Sequence, residues 1–401
     1  MTSPRGFLRT PSAEMADASW DGSRWVVAGA PLQAELAEDD VARLRGLRGV
    51  HVHWPPGVVP HDVIVRLAAA GVPLHSASVP GWLADATLRE LITDPGWLAS
   101  ETDSAGAPVA DLRREEHSVR LRRHALRHAG RTGSNAGTGS NAGLSGEGRA
   151  GGSEGRAAAS GGGPRIGGRL GGGGLVSVVV ASRRPRMAAF ALAQIARQRD
   201  VDLEVVYAAH GFPADVVRQA AEGFPFPIEV VEVGGEIPFG DVLNEAVRRV
   251  TGDYVAKWDD DDWYGPDHLS DLLLARAYSG ADVVGTAAEF FYLEPLKVTV
   301  RRTDYTSEVA SPHVAGGTIL LERAALREVG GFQPLPRAVD ERLLKDVEAA
   351  GGAIYRTHGL GYVLRRSTME EHTWRLPLAH FLRVATNQWR GFRPSRILEA
   401  E

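Results

Sequence analysis

From residue 175 onward, short apolar runs alternate with stretches of helical spacing. Residues 175–181 read as a buried strand, and 186–198 as a helix with Met187, Leu192 and Ile195 on its apolar side. The same alternation predicts strands at 203–207, 228–233 and 253–258, and helices at 214–222 and 239–250. Strand–helix alternation of this kind predicts an α/β fold with a doubly wound, mostly parallel sheet. Ligands of such sheets bind beyond the carboxyl ends of the strands. Four consecutive aspartates, Asp259, Asp260, Asp261 and Asp262, follow the last of these strands directly.

The preceding segments have other patterns. Residues 129–174 hold 19 of the 47 glycines, repeat Gly-Ser-Asn-Ala-Gly at 133–137 and 139–143, and have almost no large apolar residues. They cannot bury enough surface to offset their ordering entropy and read as a disordered, flexible linker. A coil of that length spans roughly 35–40 Å. Residues 1–128 read as a small α/β domain of unknown role, and residues 175–401 as a larger domain closed by a basic helix. In the small domain, strands are expected at 25–29 and 50–54 and helices at 39–47 and 62–70, with Gly71 ending the second. Residues 113–127 form a basic helix, either a solvated one with i, i+4 ion pairs or a surface for anionic partners. His51 and His53 alternate on a strand and share a face, and His61 is near in sequence. No carboxylate motif beside them marks a metal site.

Composition narrows the class. The chain has 401 residues, 43% of them hydrophobic, and a net charge of −5, ordinary values for a chain with a core of its own. There is no cysteine, which removes disulfides, thiolate catalysis and Cys-zinc sites. No apolar run reaches the roughly 18–20 residues of a membrane span, and residues 1–20 lack the apolar centre of a secretory signal. A cytoplasmic protein is the expectation. Residues 175–401 carry a net charge of −6 and no stacking-plus-basic motif, which argues against a nucleic-acid partner.

The four aspartates carry the chemistry. Mg²⁺ and Mn²⁺ take oxygen ligands, usually one or two carboxylates plus substrate phosphates. On extended chain Asp259 and Asp261 project to one side and Asp260 to the other, so the run can divide its labour between a ribose hydroxyl and a metal. The bulky, turn-forming Trp263, Tyr264, Gly265 and Pro266 follow, and hold the run more firmly than a solvated loop would.

From about residue 176 to 374 the sequence resembles glycosyltransferase family 2, the inverting nucleotide-sugar enzymes of the GT-A fold. The resemblance rests on an ordered set. Residues 176–185, Val-Ser-Val-Val-Val-Ala-Ser-Arg-Arg-Pro, resemble the first strand and its nucleotide-contacting loop. Asn244 resembles the asparagine of the helix before the metal strand, and residues 257–262 the metal motif. Residues 316–323 and the Gly-Gly-Phe at 330–332 resemble the acceptor-side segment. Residues 339–344 resemble the helix that supplies the base, and His372-Thr-Trp374 the histidine element of the diphosphate site.

The resemblance implies a divalent cation, Mn²⁺ or Mg²⁺, on Asp261 with Asp259 and His372. It implies nucleotide contacts from Ala181, Ser182, Arg183, His210, Asn244, Asp259 and Asp260, and sugar or acceptor contacts from Trp263, Gly316, Gly317 and Trp374. Arg184 and Arg186 are further candidates for the diphosphate. The base is Asp340, with Glu341 second. Two segments depart from the family. Residues 207–211 read Tyr-Ala-Ala-His-Gly where an acidic run is usual, and Asp340-Glu341 reverses the usual Glu-Asp. The reaction implied moves a sugar from a nucleoside-diphosphate sugar to a hydroxyl of a glycan or lipid-linked acceptor, such as a cell-envelope or capsule glycan. Arginines and aromatics interleave from Arg375 to Arg396, which suits either peripheral membrane contact or a closing helix on the domain. Two other readings remain: a non-catalytic nucleotide-sugar or glycan-binding module, and a sugar nucleotidylyltransferase. The second lacks its Gly-rich phosphate loop after the first strand.

Overall fold

The computed structural model describes residues 5–7, 12–32, 36–98, 112–135, 174–367 and 376–399. The central stretch of the expected linker, and the candidates His372 and Trp374, lie outside these residues.

The first sheet gathers β1 (Met15–Trp20), β2 (Trp25–Val27), β3 (Ala30–Pro31), β4 (Gly49–His53) and β5 (Leu74–His75) in the order β3-β2-β1-β4-β5. Strands β1, β4 and β5 are parallel. Helices α1 (Glu38–Arg45), α2 (Asp62–Ala69) and α3 (Ala86–Thr93) complete this unit. Its core joins Ala18, Val50, Val52 and Leu74 to Ile64, Leu67, Leu88 and Ile92. Strand β1 escaped the sequence reading because its four central residues are small or polar, and only alternate positions are covered.

Helix α4 (Leu112–Asn135) changes the expected organisation. It continues through Asn135 into the segment read as linker. Arg114, Arg122, Arg123 and Arg127 are neither solvated nor open to anionic partners, which corrects both readings of the basic helix for this face, while Arg113 is exposed. Arg123 donates to both oxygens of Asp271 at 2.7 Å and to Asp267 at 2.8 Å. Arg122 donates to Glu308 at 3.0 Å, and Glu115 and Glu289 both receive Arg301. On the other side Arg114 donates to the carbonyls of Leu47 and Arg48 at 2.9 and 2.7 Å. Burial works against the charge of Arg122 and Arg123, and the facing carboxylates outweigh it. Breaking a buried pair strands a charge, so these pairs fix α4 against both units.

The larger unit begins with β6 (Val176–Ser182), α5 (Ala188–Ala196), β7 (Leu203–His210), α6 (Ala214–Ala220), β8 (Ile228–Val233), α7 (Phe239–Val247) and β9 (Tyr254–Trp258). It continues with β10 (Trp263–Tyr264), α8 (His268–Ser279), β11 (Val283–Thr286), β12 (Phe290–Leu293), β13 (Val298–Arg301), β14 (Val309–Ala310), β15 (Leu320–Glu322) and α9 (Arg323–Glu328). It ends with α10 (Val339–Ala349), β16 (Ile354–Thr357), β17 (Tyr362–Arg366), α11 (Leu378–Val384) and β18 (Asn387–Arg390). The central sheet has the order β14-β16-β11-β15-β9-β6-β7-β8. It is mixed and mostly parallel, with β15 antiparallel to both β9 and β11. Alternation sends Val176, Val178 and Val180 into a core with Leu192 and Leu272, and Val179 into one with Leu243 and Leu343. Both faces are therefore covered, as the near-continuous apolar strands require.

A second sheet of the larger unit, β10-β17-β12-β13-β18, was not legible in the sequence. It absorbs the tail. Instead of one closing basic helix, the described tail residues form the short α11 and then β18, which pairs with β13 and stacks Trp389 over Phe290. No helix among the described residues is long and apolar enough to cross a membrane.

Candidate active site at the carboxyl edge of the central sheet

Strand β9 lies beside β6 and releases the four aspartates at the shared carboxyl edge. Each takes a different partner. Lys257, 3% exposed, places Nζ 2.6 Å from Asp259 Oδ1 and 3.2 Å from Asp340 Oδ1. Burial alone would lower the lysine pKa, but the two carboxylates outweigh it and hold it above its usual value. A buried ammonium thus ties the acidic run to the first turn of α10. Asp340 itself is pushed upward, chiefly by burial, with Lys257 opposing. Gly316 and Gly317 leave the room this needs. A Cβ on Gly316 would collide with the Asp340 carboxylate, and one on Gly317 would lie 2.7 Å from Asp259 Oδ2. Tyr264 closes the floor: its hydroxyl accepts from the Asp259 N–H and donates to the Gly317 carbonyl, both at 3.0 Å.

Asp260 turns away from Asp259, as strand alternation predicts, and receives the Ser182 hydroxyl and the Arg184 guanidinium. Arg184 also donates to Asp261 Oδ2 at 2.7 Å. Asp262 is buried on Tyr362 Oη and on the Arg365 N–H at 2.8 Å. Burial pushes Asp260 up against the pull of Arg184, and pushes Asp262 well up, with Asp261 and Asp259 adding to it.

The structure brings most of the expected residues to this edge. Ala181 and Ser182 end β6, beside Ala208 and Ala209 of β7. Arg183 lies against His210, Nε to Nδ1 at 3.0 Å, and donates to the Gly235 carbonyl at 2.7 Å. Burial and then Arg183 lower the His210 pKa, so the ring is neutral at pH 7. Asn244 is held differently from the expectation of a nucleotide contact. Its amide donates to the Phe332 carbonyl at 2.7 Å and accepts from the Phe332 N–H at 2.9 Å, clipping the Gly-Gly-Phe turn to α7. Glu341 is not part of the cluster; it is exposed and pairs with Lys345 at 2.6 Å. Trp263 sits in an aromatic group with Phe190, Tyr292 and Phe392, under the Arg365 guanidinium at 5.3 Å. Sequence reading passed over Lys257 as a site residue. Its signal was the two-residue spacing from Asp259, which puts both side chains on one side of extended chain.

Among the described residues no three His, Asp or Glu side chains are placed to hold a metal ion as they stand. The donor chemistry nonetheless fits a hard cation that arrives with a diphosphate, which needs only one or two carboxylates from the protein. Asp259 is a partly exposed carboxylate and Asp261 a buried one, each already neutralised by a protein cation. Arg184 therefore stands as a competitor for such an ion. Arg184→Gln is expected to raise donor-free Mn²⁺ affinity about fivefold to tenfold, measured calorimetrically. Unchanged affinity would show that the guanidinium does not compete.

The family description "Glycosyl transferase family 2" matches residues 178–343. No curated protein matches the chain. Solved structures that resemble it include TarS of S. aureus, at 18% identity, covering 48% of this chain and 37% of that one, with a TM-score of 0.38. Another is the mannosyltransferase PcManGT from Pyrobaculum calidifontis in complex with GDP-Man and Mn²⁺, at 22% identity, covering 53% and 62%, with a TM-score of 0.43. TarS 1-349 in complex with UDP-GlcNAc is 18% identical, with 52% and 64% covered and a TM-score of 0.40. The chain thus spans about a third of full TarS and under two thirds of the mannosyltransferase. The matched segment runs from β6 through Arg184, Lys257 and the four aspartates to Asp340, and it makes residues 178–343 of this chain a glycosyl transferase family 2 domain.

Proposed function

We propose that the chain is a metal-dependent, inverting glycosyltransferase that moves a sugar from a nucleoside-diphosphate sugar to a hydroxyl of a glycan or lipid-linked acceptor. The observation that supports this most is the Lys257 bridge between Asp259 and Asp340. It fixes a candidate base beside the carboxylates that would meet the leaving diphosphate.

Asp340 takes the proton of the acceptor hydroxyl as its oxygen bonds to the anomeric carbon. The bond from that carbon to the diphosphate oxygen breaks, and the nucleoside diphosphate leaves with the electron pair. A carboxylate suffices as base because proton loss accompanies bond formation. Attack opposite the leaving group inverts the centre. Asp261, with Asp259, would hold the cation, and that cation supplies Lewis-acid stabilisation of the diphosphate charge. Arg184, once displaced from Asp261, would be available to the diphosphate, whose oxygens suit a guanidinium. Ser182 and Arg183 border the nucleotide side, with His210 in place of the usual carboxylate. Gly316 and Gly317 border the acceptor side.

The test is release of nucleoside diphosphate from UDP-, GDP-, CDP- and dTDP-sugars with Mn²⁺, Mg²⁺ or EDTA. Slow hydrolysis of one donor that stops in EDTA is expected. Binding of a donor without release in the presence of acceptor glycans would favour the recognition-module reading instead.

A further inference from the structure

The exposed face of the first sheet carries a group of side chains that the glycosyl-transfer reading does not use. Strands β1, β4 and β5 run parallel, with Asp17 opposite His51 and His51 opposite His75. His53 lies two residues beyond His51 on the same face. Across three adjacent strands, one face thus presents three imidazoles and a carboxylate. The other face, through Ala18, Val50, Val52 and Leu74, is buried in the core. His61, grouped with His51 and His53 in the sequence, is elsewhere, with its ring 6.0 Å from Trp82. His75, more than twenty residues further on, takes its place.

We propose that His51, His53 and His75 bind a borderline divalent transition ion such as Zn²⁺, with Asp17 orienting His53. Zinc–nitrogen bonds of about 2.0–2.1 Å in a tetrahedral site put imidazole centroids roughly 5 Å apart. The His51 and His53 centroids are 4.5 Å apart, and those of His51 and His75 are 5.5 Å apart. The His51 ring already has that spacing to each of the other two; the nitrogens do not yet face one point, and among the described residues no three ligands converge as the side chains stand. The required change is ring rotation, on a face where His53 is 54% exposed.

The second observation is the Asp17 contact. Asp17 Oδ1 lies 2.7 Å from His53 Nε2. A carboxylate on one ring nitrogen fixes the tautomer and makes the other nitrogen a better ligand, the usual outer partner of a metal-bound histidine. Among the described residues neither His51 nor His75 has a ring nitrogen in a hydrogen bond to the protein, which leaves both for ligation. With no cysteine in the chain, nitrogen and oxygen are the donors available. Three nitrogens, with water in a fourth position, suit Zn²⁺ better than Mg²⁺ or Mn²⁺, which separates this site chemically from the acidic run.

The test uses the full chain, purified without a histidine tag and stripped with EDTA, titrated calorimetrically with Zn²⁺. One ion per chain is expected, with a Kd in the micromolar range or tighter and a raised melting temperature. His51→Ala and His75→Ala are each expected to weaken binding at least about tenfold, and Asp17→Asn about tenfold. The titration is run in excess Mg²⁺, which fills the oxygen ligands of the acidic run but suits a three-nitrogen site poorly, so a failure of the sugar-transfer reading does not touch this result. His53→Gln and His75→Gln serve if an alanine variant does not fold. Absence of saturable binding below about 1 mM, or equal binding by the wild type and the His51 and His75 variants, overturns the proposal.

Discussion

Asp340→Asn is expected to lower turnover about a thousandfold, within the range lost when a positioned base is removed. The substitution is nearly isosteric. It removes a charge whose half-buried carboxyl is already pushed upward, and it leaves Lys257 its closer partner, Asp259, at 2.6 Å. The fold is therefore expected to tolerate it, and donor affinity is expected to stay within about threefold, because the nucleotide side rests on other residues. The measurement is acceptor-dependent turnover beside calorimetric binding of the unreacted donor. Glu341→Gln is the control, because that side chain is exposed and paired with Lys345; a change of less than about twofold is expected for a surface pair. If Asp340→Asn kept a tenth of wild-type turnover, the base would have to be another group.

Asp261→Ala is expected to abolish metal-dependent transfer, with a loss of about a thousandfold or more as the cation loses its principal carboxylate. Its effect on stability has the opposite tendency. Asp261 lies next to Asp260 and Asp262, and its charge raises the pKa of both. Removing it relieves that repulsion and leaves Arg184 its contacts to Asp260. Like charges packed together at the cost of stability are a mark of a site kept for binding. Calorimetric unfolding is expected to show an unchanged or raised melting temperature, and a Mn²⁺ titration in the same variant the loss of binding. Full metal-dependent activity in Asp261→Ala would move the cation to another set of ligands. A large fall in melting temperature would assign the residue a structural role instead.

Much of the larger unit was legible because its signals are local. Strands β6, β7 and β9 are apolar runs buried on both faces of the sheet, and the edge strand β8 was marked by its valines and isoleucine between turns. The Asp259–Asp260–Asp261 alternation was legible for the same reason, since period 2 on extended chain decides which side each carboxylate takes. The Gly316 and Gly317 pair was marked by composition, although only the fold shows that the space above them is filled by Asp340 and Asp259.

Other features depend on residues distant in sequence. That Arg184 answers Asp260 and Asp261 follows from β6 lying beside β9. That Asn244 holds the Phe332 main chain follows from the turn folding back on α7. The basic pattern of α4 looked like a solvent-facing helix because charge periodicity does not reveal whether carboxylates such as Asp267, Asp271 and Glu308 wait opposite. His75 joins His51 only through the register of β5 on β4. By itself the sequence determined the strand–helix order, the acidic run and its position at the end of a strand. Those follow from hydrophobic period and chain direction, which are properties of neighbours. Which charge faces which, where Lys257 ties base to metal carboxylate, and how the tail joins a second sheet were decided by the tertiary structure, because each pairs residues that the chain alone keeps far apart.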